Sequence, residues 1–455
     1  MLKKLKNNKR KSIIMLMIII ILGTISFLIY KGLMYKNITF ALGENNVLNN
    51  SNMHIYIEDE SGNYITYTGE ALNRDDYMLN NEKSYCQYGS ELEGNSETIN
   101  ISLKSKGEDI CYIYYQIVPP TLSDTILINN SIFGVNEEAS VDNAKNYISS
   151  RTKPTLSNLA TTNEGMFSID DNFGTSYYFR GAVNDNWVKF AGFYWRIIRI
   201  DGQGNTRLIY SGSVNNHGEV SSNGVYMKGN ETIIGEANYY DNPKYVGYQM
   251  VDQTLNGYDA DDNGHYIDGK NVVDSNIKIA LDNWYKTNIE DKGYKQYVAD
   301  SIFCNDRTLY NSDNQIVEWY EGGVNPFNGA VNYQQDLLTF ICENPEDKFT
   351  VNTNIGNGAL KYPISIITFN EAVFSGMGLQ DYSTDSYLYS ITDYWTLTPW
   401  GYPNSDNPWT TIIDSGGVHA KDSNDRVGIR PVISLSSDIL FESGLGTWEK
   451  PYIIT

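Results

Sequence analysis

The chain has 455 residues, 41% of them hydrophobic and 20% charged, enough for two or three packed units and too apolar for wholesale disorder. Its 34 basic and 55 acidic side chains leave a formal charge of −21, which repels phosphate backbones and argues against nucleic acid as a partner. Four Cys and four His are too few for a disulfide-dense scaffold or a multi-zinc protein.

The first segment carries the strongest local signal. Lys3, Lys4, Lys6, Lys9, Arg10 and Lys11 come without an acidic residue, and residues 13–30 then run uncharged and rich in Ile, Leu and Met. As a helix those eighteen residues span about 27 Å, close to the hydrocarbon core of a bilayer. The expectation is an uncleaved transmembrane signal anchor within residues 1–36, its basic end cytoplasmic and the bulk of the chain extracellular. A cleaved secretory signal with its site near residues 39–41 is the alternative, and it too exports the remainder. That remainder holds 26 basic against 55 acidic side chains, a net of −29, which keeps it off anionic surfaces.

Residues 37–118 read as a small β domain. Alternation in His54-Ile55-Tyr56-Ile57 and Tyr64-Ile65-Thr66-Tyr67 brackets a turn at Ser61-Gly62-Asn63. Two more strands, near residues 99–103 and 110–118, flank a turn at 106–109, with Cys111, Ile113 and Tyr115 on one face. A disulfide between Cys86 and Cys111 would offset a small exported core, since free thiols are rare outside the cytosol. Pro119 and Pro120 lack N–H donors and end the last strand, opening a polar connector over residues 119–158.

Residues 159–455 form the larger unit. The stretch Phe193-Tyr-Trp-Arg-Ile-Ile-Arg-Ile200 is apolar on both alternating faces, as in a strand buried within a fold, and residues 201–205 turn it back into 206–210. Ser275 caps a helix with Ile277, Leu281, Trp284 and Tyr285 on one stripe. Thr368-Phe-Asn-Glu371 is a capping box, and Gly376 can stop the helix it opens. Strand patterns return at 394–398, 427–435 and 451–454.

Several stretches resemble an uncharacterised surface-protein family of low-GC Gram-positive bacteria. They are residues 175–187, Tyr194-Trp-Arg-Ile-Ile-Arg199, Ala280-Leu-Asp-Asn-Trp-Tyr285, Phe303-Cys-Asn-Asp-Arg307, Tyr362-Pro-Ile-Ser365 and Gly428-Ile-Arg-Pro-Val-Ile-Ser-Leu435. The C-terminal domain of that family, of unknown function, looks similar to the C-type-lectin-like fold of formylglycine-generating enzymes and phage receptor-binding proteins. Residues 40–118 resemble the small β domain, with its Cys pair, that often precedes it. The resemblance implies an α+β class: a transmembrane helix, a β-sandwich-like (Ig-like) domain, then a lectin-like antiparallel β domain with two flanking helices. It supplies no catalytic residue.

Four constellations are candidates for function. Cys304 and Cys342 are read as a structural disulfide; the competing reading is the copper-binding pair of an oxidase. Asp259, Asp261 and Asn263, before Gly264, space oxygens as the first half of a calcium loop, but the twelfth position is Lys270, so calcium competes with an exposed acidic turn. Trp395 reads as core, while Trp400, Tyr402, Asp406 and Trp409, stiffened by Pro399, Pro403 and Pro408, read as a candidate surface for sugars or peptides. Asp414 and His419 flank a Gly-Gly turn, where a solvated hairpin end outweighs a general base. Arg196, Arg199 and Arg430, inside apolar runs, are expected in buried ion pairs or on backbone carbonyls. The expectation is an extracellular binding or adhesion protein with a glycan or protein ligand and no catalytic set. The alternatives are an exported oxidase of the formylglycine type, a carboxylate hydrolase, and a structural envelope protein.

Overall fold

The alternation over residues 111–117 is realised as a strand, Cys111–Ile117, that buries Cys111, Ile113 and Tyr115 and turns Tyr112, Tyr114 and Gln116 outward. The computed structural model describes residues 36–40, 53–59, 62–67, 77–94, 99–103, 109–241, 247–250, 273–310, 337–379, 386–402 and 408–454, with short pieces between 313 and 333. The chain divides into two compact units, Met1–Pro119 and Pro120–Thr455.

In the smaller unit Cys111–Ile117 is the central strand of a five-stranded sheet. Met53–Glu58 lies parallel to it on one side, and Tyr77–Leu79 and Tyr85–Cys86 are antiparallel to it. Glu58 pairs with Tyr64 across a turn in which Gly62 takes φ +80°, so the first hairpin forms where the alternation places it. Cys86 faces Cys111 in register and the two are joined. Residues 99–103 and 110–118, adjacent in sequence, lie in different sheets. Ile99–Leu103 pairs instead with Lys36–Phe40 and Glu91–Gly94. The solvent face of the larger sheet carries cross-strand ring pairs, Tyr85–Tyr112 and His54–Tyr112 stacked at 5.0 and 5.1 Å and Tyr56–Tyr114 at 4.8 Å.

The larger unit is built on two sheets. In the first the order is Val298–Ala299, Val432–Leu435, Thr206–Ser213, Phe193–Ile200, Thr175–Gly181, Asn163–Asp170, with Trp187–Phe190 bridging Phe193–Ile200 and Tyr452–Ile453. Residues 195–200 are buried without exception, the outcome expected of a segment apolar on both faces. The second sheet takes Glu236–Ala237, Val427–Gly428, Tyr394–Tyr402, Trp409–Asp414 and Gly417–Asp422 in order, with Asn325–Pro326 on Tyr394–Tyr402.

Both helices expected here form. Ser275 Oγ accepts from Lys278 N, and Asn276–Tyr285 buries Ile277, Leu281 and Tyr285. Thr368 and Glu371 close a reciprocal capping box at the head of Phe369–Phe374. After it Gly376 takes φ +95°, and a Cβ there would stand 2.3 Å from the Ala160 methyl, so the chain passes only as glycine.

Two expectations need correction. The fold is mostly β, about 35% strand and 16% helical, so the α+β class does not describe it. Strand pairing between distant segments, such as Thr206–Ser213 with Val432–Leu435, is what local periodicity cannot report. No helix among the described residues is long and apolar enough to cross a membrane, and residues 13–30, where the transmembrane helix was expected, lie outside the described residues. The second concerns residues 119–158. Two helices, Leu122–Asn129 and Val141–Ser150, occupy the stretch read as a connector. Thr121 and Ser140 cap them, and Leu122, Ile126, Leu127, Ala144 and Ile148 join the core of the larger unit.

Candidate functional site

Asp201 sets the site by closing a hairpin. Its Oδ1 accepts from Gln203 N and Asn205 N at 3.0 and 2.9 Å, and its Oδ2 accepts from Ser301 Oγ at 3.0 Å. The returning strand places Arg207 directly opposite Arg199, two guanidiniums facing across antiparallel strands. Like charges in that position repel, and both side chains are buried. A carboxylate is required between them, and Glu371 supplies it: Oε1 stands 3.2 Å from Arg199 Nε and 3.1 Å from Arg207 Nε. The capping box fixes that carboxylate, because Thr368 N donates to Glu371 Oε2 at 3.1 Å. On its other side Arg199 donates to Asp171 Oδ2 at 2.9 Å and to Ser176 Oγ at 2.8 Å.

The charges of this cluster are set by one another. Burial alone would raise the Glu371 carboxyl, but Arg207 and Arg199 hold it below the usual carboxylate range. Burial drives Arg207 down to about 10, with Glu371 opposing, so it stays protonated at neutral pH. Arg199 moves the other way: Glu371, Asp201 and Asp171 outweigh its burial.

Above this floor lies a cavity of about 360 Å³, lined by both arginines, Glu371, Asp171, Asp201 and residues from the 302–310, 337–343 and 368–371 segments. Arg207 is the under-bonded member. Its Nη1 donates to Ile302 O at 3.0 Å and its guanidinium lies 4.3 Å from the Phe303 ring centroid. Among the described residues its Nη2 has no hydrogen-bond partner, and its Nε, though close to Glu371, is poorly aligned for a bond. A buried guanidinium with spare donors is where an incoming oxygen would be held. The disulfide Cys304–Cys342 ties two walls together, and Asn172 exchanges hydrogen bonds with Cys342 N and O at 2.8 and 3.0 Å.

Of the residues expected to form the ligand surface, Trp400 and Trp409 do not line this cavity. Trp395 is fully buried, donating from Nε1 to Ala237 O at 2.7 Å. Trp400 is half-buried and packs edge-on against Phe369 at 5.8 Å. Tyr402 lies opposite Asn325, and Trp409, half-buried, opposite Asp422 on the next hairpin. Asp406 falls outside the described residues, as do Asp259, Asp261 and Asn263 of the calcium reading. Replacing Trp395 by Ala is expected to cost about 3–5 kcal/mol in chemical denaturation, and Trp400→Ala no more than about half that, since its ring is already partly in water.

His419 Nδ1 and Asp414 Oδ2 stand 2.7 Å apart at the end of a hairpin in which Gly416 N donates to Asp414 Oδ1 at 2.6 Å, so this is a hydrogen-bonded turn. Arg196 bonds the carbonyls of Val183 and Val225 and the Asn186 side chain, and Arg430 bonds those of Tyr210 and Leu388 and the Ser211 hydroxyl, as expected of cations in apolar runs. The cluster around Arg207 went unread, although one signal was present: a turn at 201–205 aligns two arginines in register, and such a pair demands a carboxylate from elsewhere. Comparison with protein-family models, with curated proteins and with solved structures finds no match.

Proposed function

We propose that this protein is an exported binding protein whose larger unit takes a small polar ligand into the cleft beside Arg207. The observation that carries the reading is a fully buried arginine on a cavity with hydrogen-bond donors left unused. Export is supported by the cysteines, all four of which are paired, a state that persists in oxidising surroundings. The basic-then-apolar start of the sequence points the same way.

Binding is favoured over the two enzymatic readings by the state of the side chains. Cys304 and Cys342 are joined to each other, which speaks against a reactive thiol pair. Glu371 is held ionised and engaged by two arginines, so it is not poised as a proton donor, and Asp201 is occupied by the donors of its own turn and of Ser301.

Calorimetric titration of the full chain against a panel of mono- and disaccharides and short peptides tests the proposal. Arg207→Lys keeps the charge but loses the fork of donors, and is expected to weaken binding at least about tenfold with melting temperature largely retained. A panel with no ligand, or binding indifferent to Arg207→Lys, would overturn it.

A further inference from the structure

We infer that the Arg207 cleft takes a short uncharged peptide, held by a backbone carbonyl at Arg207 and by apolar side chains at the mouth. This rests on the binding reading above and narrows its ligand class. Arg207 is 1% exposed, and among the described residues its Nε and Nη2 have no hydrogen-bonded acceptor. An oxygen from the ligand satisfies them, and the surroundings of the guanidinium decide what charge that oxygen can carry. Arg199 is in ion-pair contact with Asp171 and Glu371, and Arg207 with Glu371, at 2.9–3.2 Å. Two cations thus meet two carboxylates, and no counter-charge is left over for an anion. A ligand carboxylate would give up its hydration without that return, whereas an amide carbonyl or a hydroxyl gives up far less.

The mouth decides between those two neutral acceptors. Phe173, Leu337 and Ile341 line the cavity and are 38%, 58% and 43% exposed, so three large apolar side chains stand in water around one opening. The apolar lining continues to the floor through Ile302, whose carbonyl Arg207 bonds, and Phe340, whose ring centroid lies 4.7 Å from the Arg199 guanidinium. Branched aliphatic chains have no flat face on which a sugar ring can stack, and hydroxyls set against them lose hydration without a partner. A peptide brings both chemistries on one backbone: carbonyls for the spare donors and aliphatic side chains for the mouth. The cavity, about 360 Å³, lies at the small end of ligand sites and suits a segment of about two residues.

Titration of the full chain with acetyl-leucyl-leucinamide, its free acid acetyl-leucyl-leucine, acetyl-glycyl-glycinamide and cellobiose tests the inference. The leucyl amide is expected to bind at least about tenfold more tightly than the glycyl amide, from the aliphatic surface it removes from water. It should also bind severalfold more tightly than the free acid, and more tightly than cellobiose. Leu337→Ser combined with Ile341→Ser should lower leucyl-amide affinity to about the level of the glycyl amide. The melting temperature should be retained, because both side chains already stand in water. A glycyl amide equal to the leucyl one, a free acid binding as tightly as the amide, or cellobiose binding tightest would each overturn the inference and leave the cleft standing as a site. Should none of the four bind while another ligand binds in an Arg207-dependent way, the peptide assignment falls alone. If nothing binds, the inference and the reading it rests on fall together.

Discussion

Glu371→Gln is expected to destabilise the larger unit by about 3–5 kcal/mol, because it strips the shared counter-charge from two buried guanidiniums. Glu371 is 2% exposed and sits within 3.2 Å of both Arg199 and Arg207, which face each other across antiparallel strands. Gln fits the space and keeps the capping geometry, so the loss is electrostatic and not steric. Arg199 retains Asp171, and Arg207 retains only a carbonyl and a ring. Urea unfolding at pH 7, followed through the transition of the larger unit, measures the effect; a loss under about 1 kcal/mol would contradict it. The same residue sets a pH dependence. Its folded carboxyl lies below the ordinary value of 4.5, so its stabilisation is fully present above that value and is lost as pH falls through the folded one. The wild-type chain should lose that stability in acid, and Glu371→Gln should show a flatter profile over the same range.

Removing the disulfide with Cys304→Ala and Cys342→Ala is expected to cost about 4 kcal/mol, from the chain entropy of a closure spanning 38 residues. The functional consequence follows from where the bond sits. Phe303–Cys304 and the 339–343 segment form facing walls of the cleft, and Cys342 also anchors on Asn172 beside Asp171. Freed of the bond, the 339–343 wall loses its covalent tie to the facing wall and keeps that pair of hydrogen bonds, the Asn370 contact to Thr339 O, the Phe340 bridge to Asp171 and the packing of the Phe340 ring on Tyr178, Phe374 and Arg199. Ligand affinity should fall along with thermal stability, and reductant added to the wild-type chain should reproduce both. An unchanged melting temperature would refute the stability claim, and unchanged affinity would separate the disulfide from the site.

Local chemistry was legible in the sequence. The Thr368–Glu371 capping box, the Ser275 cap, the 201–205 turn and the inward face of 111–117 each depend on residues within one turn of helix or strand, and each formed. The cysteine pairs were legible by compartment chemistry. Distant pairing was not. Val432–Leu435 lies against Thr206–Ser213 and Tyr452–Ile453 against Trp187–Phe190, contacts spanning more than 200 residues that no periodicity encodes. Strands were expected at 206–210, 427–435 and 451–454; their distant partners were not readable. Capping signals at Thr121 and Ser140 were hidden in a polar stretch rich in Asn and Ser, so two helices were read as a connector. Aromatic density around residues 395–409 reads alike for burial and for binding. Trp395 proved to be core and Trp400 packs on Phe369, while the cleft is assembled from residues 171, 199, 207 and 371, brought together only by tertiary structure.

Hydrogen exchange on the intact chain, with and without a saturating ligand from the titration panel, tests the account at its centre. Slowed exchange confined to the amides of 302–306, 339–343 and 368–371, and abolished by Arg207→Lys, is the predicted result. Slowed exchange at 400–402 and 409–414 instead, with the cleft segments unaffected, would place the ligand on the aromatic hairpin and contradict it.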